Sequence, residues 1–222
     1  MGFGPAGPTN RIRLPPWCPR KAKADNHALL HYVYWMDSLD DRLEEVCQKY
    51  ASSFSRKIYS PESESLDPLM NLFGITQELK RENKQYWGRE LGMCFQSLVR
   101  EICKAHCDKY QPGWRDGADE VCDVIVNKDA IDTKYRVGSG DSGTLKKFRQ
   151  YGMRLSEAGF RPVMAIVRAD NLGAAIQAAR AGGWTVYQGN ETFAYIETLT
   201  GFKLKEWLEG RTGRFKIDRL AH

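Results

Sequence analysis

The stretch Val121-Cys122-Asp123-Val124-Ile125-Val126-Asn127-Lys128-Asp129-Ala130-Ile131-Asp132-Thr133-Lys134-Tyr135-Arg136-Val137 decides how this chain is read. Val121 to Val126 and Ala130 to Val137 read as two strands, and Asn127-Lys128-Asp129 joins them. With Asn127-Lys128 as a two-residue turn, Val126 pairs with Asp129 and the ladder carries Asp123 opposite Asp132. The Cβ atoms of such a pair lie about 4.5–5.5 Å apart on one face of the sheet. Lys134 follows Asp132 by two residues and points to the same face. A three-residue loop moves the pair to a diagonal and still keeps the two acids close.

Working outward, Thr76 to Lys109 carries a helical repeat whose buried stripe is Leu91, Phe95, Leu98 and Ile102, with Gly88 the one point of expected interruption. Gln111-Pro112-Gly113 ends it. After the hairpin come a glycine-rich loop at Gly138–Gly143, a helix over Thr144–Ala158 and a strand over Pro162–Arg168. A helix over Leu172–Ala181, a strand over Trp184–Tyr187 and short helices at Thr192–Leu199 and Lys203–Leu208 finish the chain. This order predicts an α/β fold with a mixed sheet flanked by helices. Upstream, residues 1–25 read as a basic extended arm and 26–75 as a helical N-terminal region; 76–222 form the core. In the helical region Leu30, Val33, Leu39, Leu43 and Val46 recur at roughly helical spacing from Ala28 to Tyr50, and Ser52 to Pro68 reads as a linker.

With 42% apolar and 27% charged residues in 222, the composition is that of a globular protein. The net charge is +5, and it is concentrated. Arg11, Arg13, Arg20, Lys21 and Lys23 face only Asp25 in the first 25 residues, and Lys134, Arg136, Lys146, Lys147, Arg149 and Arg154 face only Asp141 in residues 134–154. Two basic patches suit a polyanionic partner, although a solvated basic face has the same composition. No apolar run is long enough for a membrane span and no secretory h-region is visible, so a cytoplasmic location is expected. The Met1-Gly2 start has Ala6 where a myristoylation signal needs Ser or Thr. The six cysteines are read as reduced thiols, and Cys103, His106 and Cys107 lack the second Cys/His pair of a zinc site.

The tripeptide Asp132-Thr133-Lys134 has the form acid-x-Lys, which also occurs at Glu78-Leu79-Lys80 and Glu82-Asn83-Lys84. Those two lie in a polar helical stretch; only the third lies in a strand. Two carboxylates facing each other across a sheet repel, and a divalent cation between them reverses the sign of the interaction. Hard oxygen ligands without nearby imidazole or thiolate favour Mg²⁺. Lys134 is then placed to assist an attacking water and to neutralise charge on a phosphate.

Asp123, nine residues before Asp132-x-Lys134, with a long helix before and a helix and strand after, resembles the core of the PD-(D/E)XK nucleases over about residues 85–190. Cys122 stands where that motif has proline, and Asp132 where it often has glutamate. The resemblance implies that Asp123 and Asp132 bind Mg²⁺ together with the Thr133 carbonyl and that Lys134 assists the nucleophile. It also implies a further acid from the first core helix, Glu90 in preference to Glu101. Asp119 is a second candidate for the first acid, though the hairpin register sets it opposite Arg136 as an ion pair.

Arg136 to Lys147, with Ser139, Asp141, Ser142, Thr144 and Lys146, forms a glycine-rich basic loop leading into a helix N-terminus, an arrangement suited to phosphates. Arg168, Asp170 and Asn171 have side chains suited to base edges. The run from Lys134 to Lys147, with Pro162–Asn171 and Ala181–Trp184, is similar to type II restriction endonucleases of the ApaLI-like group. That similarity implies duplex DNA with a short palindromic site, a homodimer and a cognate DNA methyltransferase in the same host. The Ala28–Tyr50 helix with Trp35 suits either the dimer contact or a core position, and the arm from Arg11 to Lys23 suits DNA. A structure-specific repair or recombination nuclease of the same fold and a non-catalytic DNA-binding protein are the competing expectations.

Overall fold

Asn127 takes a positive φ of 55°, the left-handed conformation that a two-residue hairpin turn demands and that asparagine tolerates. The turn fixes the register: Val126 pairs with Asp129, Ile125 with Ala130 and Val124 with Ile131, as the sequence leads one to expect. In the computed structural model this hairpin, of β4 (Val124–Val126) and β5 (Asp129–Lys134), supplies the central strand of a five-stranded sheet. The structure describes residues 41–52, 55, 61–117, 119–138 and 140–217. The arm at 1–25, Trp35, Ser139 and the first part of the Ala28–Tyr50 helix lie outside them.

The chain divides into two units, Met1–Lys57 and Ile58–His222. In the first, residues 41–52 form helix α1, on which Leu43, Val46 and Tyr50 are exposed. In the second, β1 (Tyr110–Pro112) runs antiparallel to β4, while β6 (Arg161–Ile166) and β7 (Thr185–Gln188) run parallel to β5 and to each other. The strand order is β1-β4-β5-β6-β7, a mixed sheet. Pro112 cannot donate to a ladder and is tolerated in β1 because that strand forms an edge. In sequence Gln111-Pro112-Gly113 reads as a helix end; Gln111 and Pro112 belong to this edge strand. A separate two-stranded ribbon pairs β2 (Arg115–Asp116) with β3 (Asp119–Glu120).

Helices cover both faces. Helix α4 (Lys84–His106) packs Leu91, Phe95 and Val99 onto Val124, Val126 and Ile131, joined by Phe193 and Ile196 of α7 (Asn190–Thr200) and by Leu204 and Leu208 of α8 (Leu204–Glu209). The other face carries Ile125, Ala130, Met164 and Ile166 under α5 (Ser142–Glu157) and α6 (Gly173–Ala181). Successive residues of β4 thus enter opposite cores, as the period of two requires.

The long helix expected from Thr76 breaks at Asn83, not at Gly88. Asn83 ends α3 (Gln77–Glu82), and its side chain caps α4 by accepting from the Tyr86 N–H. Gly88 continues the helix, with open space where a Cβ would stand.

The division between units falls ahead of residue 58, so the 58–75 segment belongs with the core. Its helix α2 (Pro68–Phe73) buries Leu69, Met70 and Leu72. Asp67 caps α2 and accepts hydrogen bonds from the Tyr135 hydroxyl and from Arg168. Lys80, only 2% exposed, donates to Glu62 and to the Tyr135 hydroxyl. Burial depresses the Lys80 pKa and the Glu62 carboxylate opposes that shift. Residues 61–67 are therefore fastened by buried polar bonds to the residue that follows Lys134.

Candidate active site

The site is built where β4 stops and β5 continues. Val121 leaves the ladder to donate its N–H to the Trp114 carbonyl. Gly113 permits this crossing, because a Cβ there would lie 2.1 Å from the Cys122 carbonyl oxygen. The Asp123 N–H donates to the Ile131 carbonyl at 2.8 Å, although Ile131 already faces Val124. Two residues against one is the pattern of a β-bulge, which re-aims a side chain at the end of a strand.

The consequence is a correction to the expected face-to-face pair. Asp123 does not sit squarely across from Asp132 but turns onto Thr133. Its Oδ2 accepts from the Thr133 N–H at 2.6 Å and from the Thr133 hydroxyl. Its Oδ1 accepts from Gln96 Nε2 on α4 at 2.5 Å. Asp132 and Lys134 stand in register with Met164 and Ile166, whose side chains belong to the α5–α6 core. Asp123 thus comes from the α4 side and bonds the Thr133 N–H and hydroxyl, whereas Asp132 and Lys134 come from the other side.

Lys134 Nζ lies 2.6 Å from Asp132 Oδ1 and 3.3 Å from the Thr133 carbonyl oxygen. The ammonium bridges two of the oxygens expected as metal ligands. Lys134 is also Asp132's sole hydrogen-bond partner among the described residues. Burial pushes the Asp132 carboxyl up to about 6; Lys134 opposes the shift, while Asp123 and Glu120 add to it. Burial also works against the Lys134 ammonium, but Asp132, Asp123 and Glu120 outweigh it and raise its pKa.

Glu120 was not singled out from the sequence. Its Oε1 accepts from Arg100 Nη2 at 2.6 Å, and Arg100 Nε donates to the Asp123 carbonyl at 3.2 Å. Gln96 and Arg100, one turn apart on α4, are the helix's contribution to the site. Glu90 is not brought to it. The α4 stripe is Trp87-Leu91-Phe95-Val99; Gln96 and Arg100 flank it on one side and Glu90 on the other, where it accepts from Arg89. Glu101 is exposed. Asp119 pairs with Lys147 at 3.0 Å, not with Arg136, because it belongs to the β2–β3 ribbon and not to the central ladder.

The residues expected to grip DNA are largely committed to holding the fold. Arg136 bonds the Asp170 carbonyl and carboxylate. Arg168 is 3% exposed and donates to Asp170, to Asp67 and to the carbonyls of Ser63 and Ser65. Burial disfavours the Asp170 anion, yet Arg168, the Ser63 N–H and Arg136 together bring its pKa down to about 2. Asn171 accepts from the Val137 N–H and donates to the Arg168 carbonyl and to Gln188. A cavity of about 470 Å³ adjoins this network, lined among others by Ser63, Asp67, Arg168, Asp170 and Asn190. Asp141 caps α5, accepting from the Thr144 N–H and hydroxyl, so a carboxylate stands where a phosphate was expected. Ser142 and Lys146 remain exposed beside it, with Arg149 one turn further.

Among the described residues no three His, Cys, Asp or Glu side chains converge as a ready metal cage. Lys134 lies against Asp132 and Gln96 against Asp123, so both acids already have partners. The donor chemistry nevertheless fits a hard cation. The Thr133 carbonyl and the Asp132 carboxylate share Lys134 as a cationic partner, Asp123 lies against the same Thr133, and Asp132 is a buried carboxylate for which one ammonium does not offset the cost of burial. No family model, no curated protein and no solved structure matches the chain.

Proposed function

We infer that this chain is a Mg²⁺-dependent nuclease acting on duplex DNA, with Asp123, Asp132 and the Thr133 carbonyl as metal ligands and Lys134 beside the attacked phosphate. The sequence of contacts Asp123–Thr133–Lys134–Asp132, just ahead of the first residue of β4 and along β5, carries this reading. The helix–meander–helix–strand order around it, α4, β1, β4, β5, α5, β6, supports the nuclease core to which the sequence bears a resemblance.

Bound Mg²⁺ supplies Lewis-acid polarisation of a phosphoryl oxygen and acidifies water. The protein's part is electrostatic and positional. Thr133 and Gln96 hold Asp123 by three hydrogen bonds, so its carboxylate does not have to reorganise. Lys134 is 35% exposed and can follow the substrate: leaving Asp132, its ammonium moves onto a phosphate oxygen and neutralises charge there. A restriction endonuclease, homodimeric on a palindrome and paired with a cognate methyltransferase, is the particular form proposed, on the strength of the ApaLI-like resemblance.

One observation favours a second form. Arg136, Arg168 and Asn171 are engaged in the fold, so base reading would have to come from other residues; a nuclease choosing DNA structure over sequence needs no such reader. Incubation with supercoiled plasmid and Mg²⁺, with and without chelator, tests the proposal. Discrete fragments support the restriction enzyme, and nicking at junctions or flaps supports the second form. Plasmid left intact at every Mg²⁺ concentration, across plasmids of varied sequence and branched substrates, refutes both.

A further inference from the structure

The geometry points to Gln96 as the residue that positions Asp123 for the divalent cation, a role that rests on the nuclease reading. Among the described residues Gln96 is the one side chain from outside the hairpin that bonds the Asp123 carboxylate, through Nε2 to Oδ1 at 2.5 Å. The other carboxylate oxygen is fixed by Thr133. Without Gln96 the carboxyl plane keeps one anchored oxygen and is free to swing about it. The same amide lies 3.4 Å from Glu120 Oε2, so it also spaces two carboxylates that repel each other.

The choice of an amide matters. Of the three carboxylates here, Glu120 is paired with Arg100 and, at 3.8 Å, with the exposed Arg115, and Asp132 with Lys134; Asp123 forms no ion pair among the described residues. A cation at position 96 would cancel the Asp123 charge that attracts Mg²⁺, whereas a neutral donor orients the carboxylate and leaves that charge in place. The i, i+4 spacing of Gln96 and Arg100 delivers the neutral donor to Asp123 and the charged one to Glu120. Partners of this kind, hydrogen-bonded to a metal ligand, change metal affinity by roughly ten- to a hundredfold.

The test is titration of the full chain with Mn²⁺, followed by the electron paramagnetic resonance signal of the free ion. Wild type, Gln96→Met, Gln96→Lys and Asp123→Asn are compared, with urea midpoints measured alongside. Gln96→Met should weaken Mn²⁺ binding by about ten- to a hundredfold, and raising Mg²⁺ by the same factor should restore DNA cleavage. Gln96→Lys keeps a donor and should hold or raise the urea midpoint of the metal-free protein, yet bind Mn²⁺ more weakly than wild type. A merely structural Gln96 would not separate stability from affinity in this way. Parental Mn²⁺ affinity in both Gln96 variants, with Asp123→Asn impaired, overturns the role of Gln96 and leaves the nuclease reading standing. Wild type that takes up no Mn²⁺ overturns both.

Discussion

Replacing Asp132 by asparagine should flatten the pH dependence of stability. The wild-type carboxyl is raised from 3.8 to about 6 in the folded protein, first by burial and then by Asp123 and Glu120, with Lys134 opposing. The sign follows from proton binding. Between these two pH values the folded state holds a proton that the unfolded chain has lost, so stability falls as pH rises through the window. Above pH 6 the displacement corresponds to about 3 kcal/mol of destabilisation, which is absent below pH 3.8. Asp132→Asn removes that cost, which is already net of the attraction to Lys134. Urea denaturation of both proteins at steps from pH 4 to pH 8, without divalent metal, measures the difference. The wild-type curve should drop relative to the variant by about 2 kcal/mol from about pH 4 to pH 8, the rest of the cost being already present at pH 4. Parallel curves would refute the claim that Asp132 is a strained buried carboxylate.

Two further substitutions probe the neighbours of Asp132. Lys134→Met should lower the cleavage rate by about a hundred- to a thousandfold, the usual range for removing one group that stabilises transition-state charge. It should also raise Mn²⁺ affinity, because the ammonium no longer occupies Asp132 Oδ1 and the Thr133 carbonyl; titration of the variant reads this directly. Tyr135→Phe removes the hydroxyl shared by Asp67 and Lys80 and should lower stability by about 1–3 kcal/mol in urea, since both partners are left buried without it.

The hairpin was legible because two local signals agree: the period of two in Val124–Val126 and Asp129–Lys134, and an asparagine where φ must be positive. That register brought Asp123, Asp132 and Lys134 into view. The bulge at Asp123 was not legible, since it arises from the crossing of Gly113 under Cys122 and the pull of Trp114, neither of which leaves a periodic trace. Helical periodicity gave Leu91 and Phe95 of the α4 stripe but could not say which flank of the helix faces the end of β5; Glu90 was chosen for its charge, and Gln96 lies on the flank that counts. Residues 61–67 read as a linker because their bonds to Lys80, Tyr135 and Arg168 join partners far apart in sequence. Arg168 and Asn171 carry the chemistry of DNA contacts, and only their hydrogen-bond partners reveal that this chemistry is spent on the fold.

Cleavage and binding measured side by side on Asp132→Ala test the central assignment most directly. The account predicts that Mg²⁺-dependent cutting of plasmid disappears while DNA affinity holds or rises, because a charge that repels phosphate has been removed. A variant that cuts at the parental rate would contradict it.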